Sequence, residues 1–193
     1  TDSGVHAMEQ IANVGIDTPM ESEELKNAVN GNLTKDIYIK SCIEVNKDFH
    51  SRFSAIKREY RYKISTFYSP INRNNYWNID YDIDYNDLNK CAKLVLGEHD
   101  FTQLSKKNME VKNKICHVYD SIWERDNNKF HYMIKANRFL HHMVRYLVGV
   151  MVEVSKKGSL TVDDFKSMLN GDDRKIIFKA PAKGLYLKKI YYE

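Results

Sequence analysis

An α+β fold on a mainly antiparallel sheet is the architecture this chain predicts, and three observations point to it. Stretches of alternating polarity are interleaved with stretches of helical period, but in no regular strand-helix-strand repeat. The run "HVYDSIWER", the turn "DNNK" and the run "FHYMIKAN" read as a hairpin, which makes that pairing antiparallel. The 193 residues are 42% apolar and 29% charged with only three prolines, a balance that suits an ordered protein. A chain of this length removes roughly 70% of its unfolded surface from water, in one large or two small domains.

Each element has its own signal. "VHAMEQIANV" alternates weakly and reads as a strand ending before Gly15. Thr18 as cap, Pro19 at the first helical position, acids in the first turn and Gly31 as the stop predict a helix through "MESEELKNAV", with Leu25, Ala28 and Val29 on one side. "DIYIKSCIEV" and "FSAIKREYRYKIS" are predicted as the second and third strands, and residues 70–80 as an aperiodic connection. "DYNDLNKCAKLVLGEHDF" predicts a helix with Leu88, Cys91, Ala92, Val95 and Leu96 on one face, followed by a glycine. After the hairpin come a long helix from about Arg138 to Val154, a shorter one from Asp163, and a last strand, "GLYLKKIYYE".

Composition excludes several classes. No apolar run approaches the roughly 20 residues that span a bilayer, and no signal-peptide pattern precedes the first elements. Cys42, Cys91 and Cys116 are odd in number and widely spaced, which indicates neither a disulfide framework nor a zinc knuckle, so a reducing cytoplasmic setting is expected. The net charge of +4 is too mild to separate a nucleic-acid binder from an ordinary basic enzyme, so its distribution matters more.

Two segments concentrate chemistry. In "AIKREYRYKI", Ile56, Arg58, Tyr60, Tyr62 and Ile64 share one strand face, while Lys57, Glu59, Arg61 and Lys63 share a solvated one. A guanidinium inside an apolar row needs a carboxylate, a phosphate or a backbone carbonyl. A structural ion pair is the more ordinary outcome for Arg58 and a phosphate contact the sharper one, while Tyr60 alone is common sheet packing. On a helical wheel "RFLHHMVRYLVGVMVEV" places Leu140, Met143, Val144, Leu147, Val150, Met151 and Val154 on a core side. Arg138, His141, His142, Arg145 and Gly149 form a basic strip with a bare backbone patch, flanked by Lys129, Lys135, Lys156 and Lys157. A solvated helix face competes there with an anion or RNA contact. A metal is disfavoured, because His141 faces Arg145 one turn on and no clustered carboxylates stand beside the histidines. His6 and His99 read as structural.

Taken together, "TDSGVHA", "DFHSRFSAIKREYRY", "GEHDF", "FLHHMVRYLVG" and "APAKGLYL" resemble, in order and across the whole chain, the motifs of the TruA-type tRNA pseudouridine synthases. Members of that family begin with a strand and a helix and carry an Arg before the Thr-Asp pair. The chain therefore looks like an N-terminally truncated member, with 1–51 the remainder of the N-terminal ferredoxin-like half and 52–193 the C-terminal half. The resemblance implies two ferredoxin-like halves forming one mainly antiparallel sheet with an active cleft between them, a homodimer, tRNA as partner at uridines of the anticodon stem-loop, and no cofactor. It implies that Asp2 is the catalytic aspartate, Tyr60 the tyrosine stacking on the uracil, Arg145 the basic partner of the aspartate, and Leu185 the apolar lining of the base pocket.

Elementary chemistry agrees. Isomerising uridine breaks the bond from C1′ to N1 and rejoins the base through C5, with no net redox or hydrolysis. An ionised carboxylate suffices to begin, and a guanidinium opposes the loss of that charge on burial, so Asp2 and Arg145 must be adjacent. Attack at C1′, attack at C6 and removal of a sugar proton all remain open to the carboxylate. The base must leave its stack at a cost of a few kcal/mol, and aromatic stacking returns about 1–3 kcal/mol. Arg58 is then placed for a phosphate, and Arg138, His141 and His142 for the stem backbone. A catalytically silent RNA-binding module is the competing reading.

Overall fold

The computed structural model describes residues 1–107, 112–158, 160–172 and 178–193. These divide into two compact units, one of Thr1–Gln10 with Ala55–Glu193 and one of Ile11–Ser54.

In the larger unit the strands are β1 (His6–Ala7), β2 (Lys57–Ser65), β3 (Trp77–Asn78), β4 (Gly97–Asp100), β5 (Ile115–Asp126), β6 (Lys129–Ala136) and β7 (Leu185–Tyr191). They form one sheet in the order β1-β7-β2-β6-β5-β4, with β3 beside β2. Pairing is antiparallel except where β1 meets β7 and β3 meets β2. The mixed, mainly antiparallel α+β architecture is as expected. Helices α2 (Tyr85–Leu94), α3 (Met143–Ser155) and α4 (Val162–Leu169) complete the unit. The strands β2, β5, β6 and β7 with the intervening α2 and α3 follow a β-α-β-β-α-β order, and those four strands lie side by side as β7-β2-β6-β5.

Local chemistry explains the boundaries. Asp84 caps α2, its carboxylate accepting from the backbone N–H of Asn86 and Asp87 at 2.8 and 3.2 Å. Thr161 and Asp164 form a reciprocal capping box on α4. The hairpin joining β5 and β6 turns at Asn127, whose φ of 51° is a left-handed conformation that asparagine tolerates. The core lies between the sheet and the helices: Tyr62, Ile64, Trp123, Tyr132 and Ile134 from the strands meet Leu88, Cys91, Leu147 and Met151. The α3 helix is apolar on nearly every side, and Val148, Gly149 and Val152 are as buried as its expected core row. Gly149 is thus no bare patch: a Cβ there would sit 1.9 Å from the carbonyl oxygen of Phe178.

Several expectations are corrected. The first strand shrinks to His6–Ala7, and residues 70–80 include the short β3. The α2 helix stops at Leu94, so Leu96 is exposed, and "GEHD" becomes β4 because Gly97 turns the chain with φ 92°. The long helix begins at Met143 rather than Arg138, because His142 has φ 63° and breaks the helical run. Arg138 and His141 therefore lie in the irregular segment before α3, and the basic strip is not one helix face. The charged row of β2 is not simply solvated either. Glu59 is half-buried against Lys188 and Tyr191, accepting from both at 2.6 and 2.9 Å. Beside it, Arg61 Nε and His131 Nε2 are buried with no hydrogen-bond partner among the described residues.

The smaller unit carries α1 (Ser22–Asn32), capped at Glu21 rather than Thr18 and running through Gly31. Residues 36–45 form no strand: Ile39 is held at both backbone groups by the side chain of Asn30, at 2.8 and 2.9 Å, in place of a ladder partner.

Candidate active site

Asp2 is placed by a tight turn. The backbone N–H of Val5 donates to Asp2 O at 3.1 Å, with Gly4 at φ 78°, a conformation that excludes most side chains at little cost only to glycine. The turn leads directly into β1, whose two residues pair with Tyr186 and Leu187 of β7. The carboxylate of Asp2 thereby comes to the start of β7, where Leu185 is buried.

From the other side the residues around the N-terminus of α3 converge on the same carboxylate. His141 Nε2 lies 3.3 Å from Oδ1, while His142 Nε2 lies 3.2 Å and Arg145 Nη1 4.0 Å from Oδ2. Arg145 is fixed by a double contact with the following segment: its Nε donates to Ala180 O at 2.8 Å, and Ala180 N–H donates to Arg145 O at 3.1 Å. The expected adjacency of Asp2 and Arg145 is therefore present in the geometry. Burial, then the neighbouring His141, Lys179 and Arg145 against the opposing charge of Asp2, lower the His142 pKa to about 4. Near neutrality His142 is thus uncharged, and its 3.2 Å approach to Asp2 is a contact of a neutral ring with a carboxylate rather than an ion pair.

A hollow of about 70 Å³ opens beside the carboxylate, lined by Thr1, Asp2, Val5, Tyr60, His142, Met143, Val144 and Leu185. Tyr60 forms part of its wall, supported edge-on by Phe139 with ring centroids 5.0 Å apart. Burial and the charge of Asp2 raise the Tyr60 pKa against the opposing pull of Arg58, so the hydroxyl keeps its proton at neutrality. Two residues before Tyr60, Arg58 Nη1 donates to the carbonyls of Ala55 and Asn137 at 2.8 and 2.7 Å, so carbonyls are among its acceptors. Behind the hollow, Tyr62 donates to Pro181 O at 2.7 Å and packs against Gly184, where a Cβ would lie 2.6 Å from the Tyr62 ring. That contact explains the glycine of "KGLYL".

The structure thus gathers Asp2, Tyr60, Leu185, His141, His142 and Arg145 around one point. Arg138 stands half-buried in the segment after β6, near enough to Cys116 to pull its thiol down against burial. His6 and His99 have structural partners, His6 stacked on Tyr186 at 4.7 Å and His99 on the Leu96 carbonyl at 2.9 Å. Sequence reasoning missed Val5, Met143 and Val144 as wall residues and Phe139 as the support behind Tyr60. Only Phe139, an aromatic just ahead of the paired histidines, carried a usable signal.

No cluster of carboxylates is expected beside the histidines, and a single carboxylate stands there among the described residues: Asp2, His141 and His142 bring one donor atom each within 4.8 Å of one another. The set still fits a metal poorly. To ligate through Nε2, His142 would need its proton on Nδ1, which is buried with no partner among the described residues. The guanidinium of Arg145 already faces the same oxygen.

A small hollow against a carboxylate faced by a guanidinium and two imidazoles has the make-up of an enzyme site. The family model for tRNA pseudouridine synthase matches residues 91–193. Over its whole length the chain is 34% identical to tRNA pseudouridine synthase A of Staphylococcus aureus (strain bovine RF122 / ET3-1), covering 73% of that protein. It is 36% identical to the protein of the same name from Thermoanaerobacter sp. (strain X514) and 35% to that of Bacillus subtilis (strain 168), covering 80% and 79% of them. The chain belongs to the tRNA pseudouridine synthase family, isomerases that act on tRNA. Among the described residues no helix is long and apolar enough to cross a membrane.

Proposed function

We propose that this chain converts uridine to pseudouridine in the anticodon stem-loop of tRNA, with Asp2 as the nucleophile. The observation that carries the reading is the convergence of Arg145, His141 and His142 on the Asp2 carboxylate, beside a hollow walled by Tyr60 and Leu185. The flipped uracil stacks on Tyr60, and Leu185 closes the opposite side. Asp2 opens the sequence at the sugar or the base, the C1′–N1 bond breaks, the base turns, and C5 bonds to C1′. One proton then leaves C5 and one arrives at N1, so substrate and product are isomers. Because Tyr60 is a phenol at neutrality, it accepts the C5 proton only while passing its own proton on. Arg145, 4.0 Å from Oδ2, sets a guanidinium against the Asp2 carboxylate. Arg58, Arg138 and the exposed His141 meet the RNA backbone, while His142 stands behind them at the carboxylate.

The reading extends to architecture: two ferredoxin-like halves, 1–51 in the first and 52–193 in the second, working as a homodimer in the cytoplasm without a cofactor. The β7-β2-β6-β5 order of a β-α-β-β-α-β unit supports the second half. The test is tritium release from tRNA labelled at uracil C5, by this chain beside its Asp2→Asn variant. Release by the first and none by the second supports isomerisation by this nucleophile. Binding without release by either would leave an RNA-binding protein and withdraw the catalytic reading.

A further inference from the structure

We propose that His142 is a positioning residue that anchors Oδ2 of Asp2 as a neutral Nε2–H donor, leaving Oδ1 as the oxygen that reacts. This rests on Asp2 being the nucleophile. The two oxygens of the carboxylate are held differently. Oδ2 faces His142 at 3.2 Å and Arg145 at 4.0 Å, whose side chains are only 13% and 11% exposed. Among the described residues the charged partner at Oδ1 is His141, at 3.3 Å, whose side chain is 42% exposed. A largely enclosed pair cannot move aside for a substrate without displacing packed neighbours, whereas an exposed imidazole can. The anchored oxygen is therefore Oδ2 and the available one Oδ1.

The proton position on His142 follows from what surrounds its ring. Nδ1 is buried and has no hydrogen-bond partner among the described residues. A proton there would be an orphaned buried donor, whereas on Nε2 it meets the carboxylate. The low pKa of His142 agrees with a ring that stays neutral in use.

The backbone adds a second, independent observation. His142 sits at the cap of α3 with φ 63° and ψ 3°, a left-handed conformation unusual for a residue with a Cβ, yet its side chain makes no capping hydrogen bond. The ordinary reason for a polar residue at a helix cap is missing, and glycine would adopt this φ more easily. Strain kept at such a position points to a use for the side chain, which here is the contact with Asp2. The two histidines differ in exposure although their ring centroids lie 3.9 Å apart, His141 being outward and His142 inward.

The experiment compares wild type, His142→Gly and His142→Gln by kcat and KM for tritium release and by thermal midpoint. It also reads the His142 tautomer from long-range proton-nitrogen NMR of the nitrogen-15-labelled protein. His142→Gly suits the backbone but removes the donor. It is expected to keep the midpoint and KM while kcat falls roughly 10–100-fold, the range seen when partners that orient a reactive group are lost. His142→Gln, whose amide can donate from a similar reach, is expected to recover much of that loss. The NMR is expected to show the proton on Nε2. A His142→Gly variant with wild-type kcat, or a proton on Nδ1, would overturn the proposal while leaving the nucleophile reading intact. A wild type that binds tRNA and releases no tritium would instead remove the nucleophile reading itself.

Discussion

Replacing Gly149 with alanine tests how the fold holds the site. A Cβ at this position would lie 1.9 Å from Phe178 O, 2.9 Å from Phe178 C and 3.2 Å from Ala180 N. All three are backbone atoms, so no rotamer relieves the clash and the 178–180 segment must move by more than an ångström. Overpacking of this kind costs about 1–3 kcal/mol. The movement also breaks the paired hydrogen bonds between Arg145 and Ala180, at about 1 kcal/mol each. Alanine returns about 1 kcal/mol of helix propensity. The net loss is about 2–4 kcal/mol, which for a chain of this length lowers the midpoint of thermal unfolding by roughly 4–16 °C. Arg145 loses its anchor in the same step, so kcat should fall more than stability alone explains when assayed well below the midpoint. Circular dichroism melting and tritium release give the two readings. Gly31→Ala is the control of opposite sign, because a Cβ on that helix meets nothing within 4 Å. A Gly149→Ala protein melting within 2 °C of wild type, with unchanged kcat, would refute the coupling of this close approach to the site.

Other outcomes follow from the same geometry. The pKa of His142 falls from 6.5 to about 4 on folding, so between those values the unfolded chain binds a proton the folded chain does not, and stability drops as pH falls through that window. In denaturant unfolding at pH 4 to 7, wild type should therefore lose stability relative to His142→Asn as pH falls, and a pH-independent difference would contradict the assignment. Tyr60→Phe keeps the stacking surface and loses the proton relay, so tRNA affinity should persist while turnover falls; normal turnover would remove the hydroxyl from the mechanism. Asp2→Asn should abolish turnover with tRNA affinity within a few-fold by filter binding, and a large affinity loss would deny the division between chemistry and backbone contacts. Tritium release should survive EDTA, whereas loss restored by added zinc would reinstate a metal at the Asp2 and histidine cluster.

What could be read in the sequence tracks what is decided locally. The β5–β6 hairpin, the core rows of α2 and α3, and the buried Tyr62 and Ile64 of β2 follow from periodicity, which burial of one face enforces. Residues 36–45 have the same alternation and form no strand, since alternation specifies a face but cannot supply a ladder partner. The start of α3 was hidden because Phe139 and Leu140 continue its apolar period, while one left-handed residue, His142, ends the run and leaves no compositional trace. At the site, residue types pointed to Asp2, Tyr60, Arg145 and Leu185 through motif resemblance. The meeting of His142 with Asp2 depends on the turn at Gly4 and the parallel seating of β1, which join positions 140 residues apart in the chain.

The alternation of faces along β2 has a consequence for how this protein can vary. Arg58, Tyr60 and Tyr62 face the hollow and its support, while Glu59, Arg61 and Lys63 face away and include a buried guanidinium nitrogen with no partner among the described residues. Replacing a poorly satisfied buried cation by an apolar side chain of similar volume is often neutral or stabilising. Alternate positions of one strand thus answer to separate selective pressures. Drift at Arg61 can change thermal tolerance while leaving turnover alone, and drift at Tyr60 can change turnover while leaving tolerance nearly alone. A lineage could adapt its temperature range along one face of a nine-residue strand without revisiting the chemistry on the other.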